Sequence, residues 1–303
     1  MNLQVDDPEC PFCKTSAASD WGVASGHPIY ECSECGVVFF QRPIAKSADY
    51  DDYYPYLRHF DRDRFEWELS IRRPKYRTQL RVIRRLHRNA KTLLDIGAGP
   101  GYLCRVAGEE GWEAAGVETS QPAIAAGTKQ FGVRYVTLDR VATASQDAIT
   151  CHHVIEHIED GEHFLRTLRA KLRDEGVLVV QVPHREPLSF LALNNVDRVF
   201  GAKRDRRCQL YYPEHISGFT GQSLVKAVSR FGFAPLRVRT ASMWSPYHDP
   251  FFLRNYFCGV DGRRLPWTNL LRLASHTTRC LADSVGTIFG KGDWVVAHFR
   301  AVP

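Results

Sequence analysis

Four cysteines open the chain in two pairs, Cys10-Pro11-Phe12-Cys13 and, eighteen residues later, Cys32-Ser33-Glu34-Cys35 followed by Gly36. Two C-x-x-C knuckles at this separation supply four thiolates, the donor set of a tetrahedral Zn2+. Four sulfurs saturate the ion and leave no place for a reactive water, so the expected role of zinc is to fold a small ribbon, not to catalyse. Gly36 suits a knuckle because a positive φ lets backbone N–H groups point at sulfur.

The second candidate is the stretch Leu93-Leu94-Asp95-Ile96-Gly97-Ala98-Gly99-Pro100-Gly101-Tyr102-Leu103, an apolar strand running into a glycine turn that opens a helix. Glycines at 97, 99 and 101 allow a sharp bend and let a ligand press against the main chain. The spacing is G-x-G-x-G, which disfavours the dinucleotide fingerprint G-x-G-x-x-G and with it a dehydrogenase. Glu118 ends the next strand, where its carboxylate could accept both ribose hydroxyls of an adenosine lying across the strand ends. Asp95 reads as an organiser of the turn. Five histidines, 152, 153, 157, 184 and 215, fall in strand-end or loop segments, and an imidazole that titrates near neutrality suits general-base work.

These residues need elements to hold them. Gly36–Pro43 reads as the last strand of the ribbon, leaving through a proline. Residues 64–88 are helix-like and basic, with Pro74 expected to interrupt or start a helix. From residue 92 strand and helix alternate, as a doubly wound parallel sheet requires. Strands are expected at 92–96, 115–118, 133–136, 148–152, 176–182, 235–240 and 293–300, with helices at 102–111, 159–172 and 220–231. Ser120 and Pro122 mark a further helix start. The chain of 303 residues is 44% hydrophobic and 24% charged, with a net charge of +6. That is a globular composition, and the charge permits an anionic partner without demanding one. The five cysteines outside the pairs show no regular spacing, which fits reduced thiols. No apolar run approaches the roughly 20 residues of a transmembrane segment, and residues 1–7 lack the features of a secretory signal. A cytoplasmic protein is expected.

From the glycine turn onward the chain resembles the class I S-adenosylmethionine-dependent methyltransferases. Asp147–Ile158, with Ile155-Glu156-His157, resembles their fourth strand and its loop. Gly176–His184 resembles the fifth strand, and Pro213-Glu214-His215-Ile216-Ser217-Gly218-Phe219-Thr220 the approach to the helix before strand six. The resemblance covers roughly residues 90–240 and implies an α/β, seven-stranded Rossmann-like sheet of order 3-2-1-4-5-7-6, its last strand antiparallel. With the ribbon, it implies residues 1–45 as zinc ribbon, 46–90 as a basic and aromatic helical linker, and 91–303 as the methyltransferase domain, with insertions at 185–212 and 242–291.

The resemblance also implies roles. Asp95, Gly97, Ala98, Gly99, Gly101 and Glu118 would bind S-adenosyl-L-methionine, Asp95 near its ammonium and Glu118 at its ribose. Asp139 would contact the adenine amine, and Cys151 and His152 would flank the methionine portion. His184 and His215 are the candidate bases, and His157 is read as structural. The Asn/Asp-Pro-Pro-aromatic motif of amino-directed nucleobase enzymes is missing after strand four, and no proline precedes Cys151 as in cysteine-nucleophile RNA enzymes. Zinc-ribbon members are often found among sugar and glycan methyltransferases, so the expected acceptor is a hydroxyl of a small molecule or glycan precursor. Tyr53 and Tyr54 either line the acceptor pocket or pack the domains together. Two alternatives are an RNA methyltransferase that binds phosphates through the ribbon and the arginines of 72–88, and a catalytically inactive methyltransferase-like binding protein. The oligomeric state is left open.

Overall fold

A computed structural model describes residues 8–24, 26–40, 62–190, 215–242 and 281–303. Tyr53, Tyr54 and most of the two expected insertions lie outside the described residues.

The larger sheet has six strands: β4 (Thr92–Ile96), β5 (Glu113–Val117), β6 (Gln146–His152), β7 (Leu172–Pro183), β9 (Phe233–Ala241) and β10 (Trp294–Ala301). Their order is β5-β4-β6-β7-β10-β9. The first four are parallel, and β10 inserts antiparallel between β7 and β9. β4 and the 177–182 part of β7 are near-continuous buried runs because both their faces are covered. The strand expected at 133–136 is reduced to one bridge, Tyr135 to Gly116, at the β5 edge. Only two backbone bonds form there, Gly116 N–H to Arg134 O and Val136 N–H to Gly116 O. At Leu138 the chain turns into a 3-10 helix, which ends the pairing.

Helices α1 (Arg62–Leu86), α2 (Tyr102–Glu109) and α3 (Gln121–Phe131) share one apolar cluster with Leu93, Ala148, Val179 and Val296. Helices α4 (Gly161–Lys171) and α5 (Gly221–Ser229) pack with Ile149, Leu178, Val180, Val295 and Phe299. The α3 start is as expected: Ser120 caps Ala123 N–H, and Pro122 lies in the first turn. A correction concerns Pro74, which neither starts nor interrupts α1. Its ring is exposed, and Phe65 and Leu69 before it and Leu80 and Ile83 after it are buried. Apolar anchoring on both sides offsets the roughly 3 kcal/mol that an internal proline costs.

The ribbon comprises β1 (Ala18–Ala24), β2 (His27–Cys32) and β3 (Val38–Phe40). Its sheet is completed by β8 (Ser217–Gly218), which pairs with β3 from the far side of the sequence. Cys10, Phe12, Cys32, Cys35, Val37 and Phe39 belong to the same apolar cluster as α4, α5 and the large sheet. Phe12 meets Phe219 edge-on at 5.3 Å and lies against Gly161, the first residue of α4. Arg185 fastens the junction, donating to Gly36 O at 2.8 Å and to Glu31 at 2.7 Å.

Candidate active site

The two cysteine knuckles have the same local shape. Lys14 N–H bonds Cys10 O and Gly36 N–H bonds Cys32 O, and both Lys14 and Gly36 have positive φ. Only the glycine announces this conformation in the sequence. The four Sγ atoms converge, with Cys10–Cys35 at 3.6 Å, Cys13–Cys32 at 3.3 Å and Cys13–Cys35 at 3.8 Å. The edge of a tetrahedron with metal–sulfur bonds of about 2.3 Å is about 3.8 Å, so the donor set fits zinc. Crowding splits the thiols: hydrogen bonding from Cys35 pulls Cys10 down to about 6, while burial and its sulfur neighbours push Cys13 up to about 12.

At the end of β4 the chain makes three positive-φ steps, at Gly97, Gly99 and Gly101. A Cβ on Gly101 would come within 2.7 Å of Val133, so this position is closed to side chains for steric reasons as well. Glu118 locks the turn: its carboxylate accepts Gly99 N–H at 2.7 Å, Thr119 N–H at 2.7 Å and Ser120 N–H at 2.9 Å. Three of roughly four acceptor positions are thus used and one is left for a ligand hydroxyl. Tyr135, which the sequence reading missed, donates its hydroxyl to Gly99 O at 2.8 Å from the other side. Asp95 is 5% exposed and accepts the Thr150 hydroxyl at 2.7 Å. Burial, less the effect of the Thr150 bond and with a contribution from Glu118, raises its pKa to about 7. A carboxyl so placed is poised to ionise when a cation arrives.

Cys151 and His152 are adjacent in β6, and alternation sends them to opposite faces. The Cys151 side chain is fully enclosed in the α4–α5 cluster, where burial raises its pKa. His152 faces α1, where its Nε2 lies 2.9 Å from the Gln79 amide nitrogen. Burial and the Lys75 charge hold it neutral. Asp139 sits exposed in the 3-10 turn 138–140, its carboxyl lowered chiefly by the Thr137 hydroxyl.

The two candidate bases differ. His184 is 2% exposed, its Nδ1 accepts Glu186 N–H at 3.0 Å, and burial pushes its pKa down to about 4. Its surroundings are those of a structural core histidine. His215 is half-buried and stacks edge-on with His157, with ring centroids 4.9 Å apart. Beside this pair lies Glu156, 1% exposed, whose carboxylate oxygens have no donor in good hydrogen-bond geometry among the described residues. His153 Nδ1 is 3.4 Å from Glu156 and His157 Nε2 is 4.0 Å from it. Despite burial, these imidazoles lower the Glu156 pKa. The ligand atoms of Glu156, His157 and His215 all lie within 4.8 Å of one another, close enough to share a proton or a cation. Glu156 was given no role in the sequence reading, and the positive-φ His153 was named there among the loop histidines without being chosen as a base. The signal for both was the short run 152–157, whose side chains a 3-10 turn gathers together.

The family described as "Methyltransferase domain" matches residues 69–238, more than half of the chain. A ubiquinone biosynthesis O-methyltransferase of Bradyrhizobium diazoefficiens is 31% identical over 35% of this chain and 49% of its own, so the match spans about half the length of that relative. One from Sinorhizobium medicae is 28% identical over 73% of this chain and 84% of its own. Among solved structures, a proposed sarcosine dimethylglycine methyltransferase from Galdieria sulphuraria aligns with TM-score 0.51 at 15% identity, over 84% of this chain and 99% of that one, and shows the shared fold. Among the described residues no helix is long and apolar enough to cross a membrane. The matched residues take in the strand–glycine turn–helix unit and Glu118 after β5, and the chain belongs to the methyltransferase domain family.

Proposed function

We propose that the protein transfers the methyl group of S-adenosylmethionine to a hydroxyl of a small-molecule or glycan-precursor acceptor. The observation that carries this reading is the glycine turn of 97–101 pinned to the Glu118 carboxylate through Gly99 N–H at 2.7 Å. When bound, the cofactor supplies an already activated methyl, so the protein's work is placement. Asp95 takes the ammonium, Glu118 one ribose hydroxyl, and the backbone of Gly97, Ala98, Gly99 and Gly101 the amino-acid portion. Asp139 lies at the adenine side. Cys151, its thiol turned into the core, contributes backbone alone to the methionine portion, and His152 lines it from the α1 face. His215 holds the proton that the acceptor hydroxyl loses, and the buried Glu156 carboxylate favours the resulting imidazolium on the His157–His215 pair. Cys10, Cys13, Cys32 and Cys35 hold a structural Zn2+ that keeps the ribbon on the enzyme.

The hydroxyl acceptor is supported by the O-methyltransferase names of the relatives. The RNA alternative loses part of its support, because four of the arginines of α1 are engaged within the protein, while Arg81, Arg85 and Arg88 stay exposed. Arg73 pairs with Glu109, Arg77 with Glu110 and Arg72 with Glu68, while Arg84 bonds Glu110 O. The test is transfer of labelled methyl into cell extract separated into RNA, protein, glycolipid and small-molecule fractions, with wild type and Glu118→Ala side by side. Label in the glycolipid or small-molecule fraction, lost in the variant, is the expected result. Label in RNA refutes the acceptor class, and failure to bind S-adenosylmethionine would establish the inactive alternative.

A further inference from the structure

Once the engaged arginines of α1 are set aside, one cation on the inner side of the helix stands out. Lys75 is half-buried, and its ammonium lies 4.9 Å from the ring centroid of Trp294. One turn later Gln79 reaches His152 at the end of β6, so Lys75 and Gln79 both face the C-terminal edge of the parallel strands. Trp294 pairs with Pro183 of β7 on one side and Ala241 of β9 on the other. Arg239 pairs with Val296, two residues from Trp294, and alternation places Arg239 and Trp294 on the same face. The ring of His153 touches Trp294 edge-on at 5.2 Å, which joins this corner to the polar cluster at Glu156.

The charges here do not balance. Arg72 is neutralised by Glu68 at 2.6 Å. Among the described residues no carboxylate is within ion-pair distance of Lys75 or Arg239. The two cations sense one another, and Arg237 adds to the field at Arg239. Burial together with Arg72 and Arg239 lowers the Lys75 pKa to about 8. A desolvated ammonium without a counter-ion is costly, and an aromatic face returns only part of the loss. Lys75 is the desolvated charge and Arg239 an exposed one on the same face of the sheet, so a divalent oxyanion can meet both where a carboxylate would meet one. The corner lies two strands from His152 along the sheet, about 10 Å at the usual strand spacing.

We propose that Lys75 and Arg239, beside the ring of Trp294, form an oxyanion subsite, and that the methyl acceptor carries a phosphate or diphosphate that sits about 10 Å along the sheet from His152. The acceptor part of this inference rests on the methyltransferase reading; the anion site itself does not. Lys75 meets the phosphate as a point charge, Arg239 supplies a planar fork from the rim, and Trp294 floors the group that links phosphate to reacting hydroxyl.

The test is calorimetric titration of the full chain, loaded with S-adenosylhomocysteine, with inorganic pyrophosphate and separately with acetate. Cofactor affinity is read in its own titration, so failure of the methyltransferase site and failure of the subsite give different results. Saturable pyrophosphate binding is expected, weakened at least about tenfold by Lys75→Met, which keeps the apolar stem against Trp294, and by Arg239→Gln. Arg81→Gln, on the exposed side of the same helix, should leave it unchanged. Equal affinity in wild type and Lys75→Met, no saturable binding in wild type, or acetate binding as tightly as pyrophosphate would each overturn the proposal.

Discussion

Asp95 offers the sharpest test of how the site is built. Its carboxyl is buried at the end of β4, with the Thr150 hydroxyl as partner and Glu118 as a charged neighbour. The pKa rises from 3.8 to about 7 on folding, mainly because burial penalises the charge. A raised carboxyl binds its proton more tightly in the folded state, so the empty protein loses stability as pH rises from the unfolded pKa to the folded one. At roughly 1.4 kcal/mol per pH unit across that gap, the full loss is about 4 kcal/mol, complete just above pH 7. Total stabilities of about 5–15 kcal/mol make this a large fraction.

Asp95→Asn keeps an oxygen for Thr150 and removes the ionisable group, so the loss should vanish. The assay is urea unfolding of wild type and variant, without cofactor, between about pH 5.5 and about pH 8.5. The stability difference should move by about 2 kcal/mol in favour of the variant over that window. Contributions from other titrating groups cancel in the comparison. A cofactor ammonium beside Asp95 would favour the ionised carboxyl, so affinity for S-adenosylmethionine in wild type should fall by up to about tenfold per pH unit below pH 7. In Asp95→Asn that slope should be lost. Parallel stability curves for the two proteins would show that the carboxyl is ionised throughout, and the account of the β4 end would fail.

Cys35→Ser should remove bound zinc and lower the melting temperature of the whole protein by more than about 10 °C, because the ribbon shares its apolar cluster with the large sheet. Zinc content and calorimetry check this; loss of metal with an unchanged melting point would sink it. Gly161→Ala places a Cβ within 2.8 Å of Phe12 Cζ, an overpacking expected to cost about 1–3 kcal/mol by urea unfolding and to be partly relieved by Phe12→Leu. No change would mean that ribbon and α4 are not in contact. His215→Ala should lower kcat by about 10²–10⁴-fold with cofactor affinity intact, whereas Glu118→Ala should cut cofactor affinity by about tenfold or more. Single-turnover rates and calorimetry separate the two, and retained turnover in His215→Ala removes it as the base.

What could be read from sequence was what is local. The β4–turn–α2 unit declares itself because glycine spacing, the preceding apolar run and Glu118 all lie within one supersecondary motif. The cysteine knuckles do so for the same reason, and Ser120 and Pro122 mark a helix start whose chemistry is complete within four residues. The failures are long-range. Residues 133–136 have strand composition, but an edge segment with two backbone bonds to Gly116 cannot sustain a ladder. Pro74 looks like a breaker until both halves of α1 are seen to be anchored. His184 and His215 were indistinguishable as loop histidines. Their difference comes from burial of the first beneath Asp293 and Phe219 and from the stacking of the second on His157.

The same division explains why the cofactor half of the site was legible and the acceptor half was not. The proposed cofactor side is built from main chain at strand ends, and main-chain geometry leaves a mark in glycine positions. The proposed acceptor corner is made of side chains from α1, the β6 loop, β9 and β10, with nothing in the spacing of Lys75, His153, Arg239 and Trp294 to unite them. The basic composition of α1 concealed it further. Eight basic residues lie between 72 and 88 apart from His87, and only packing shows that Arg72, Arg73, Arg77 and Arg84 are engaged inward while Arg81, Arg85 and Arg88 are exposed. Lys75 belongs to neither group. A residue that is desolvated without being paired is informative because folding alone gives no reason for the cost, and the reason must then be sought in a bound partner.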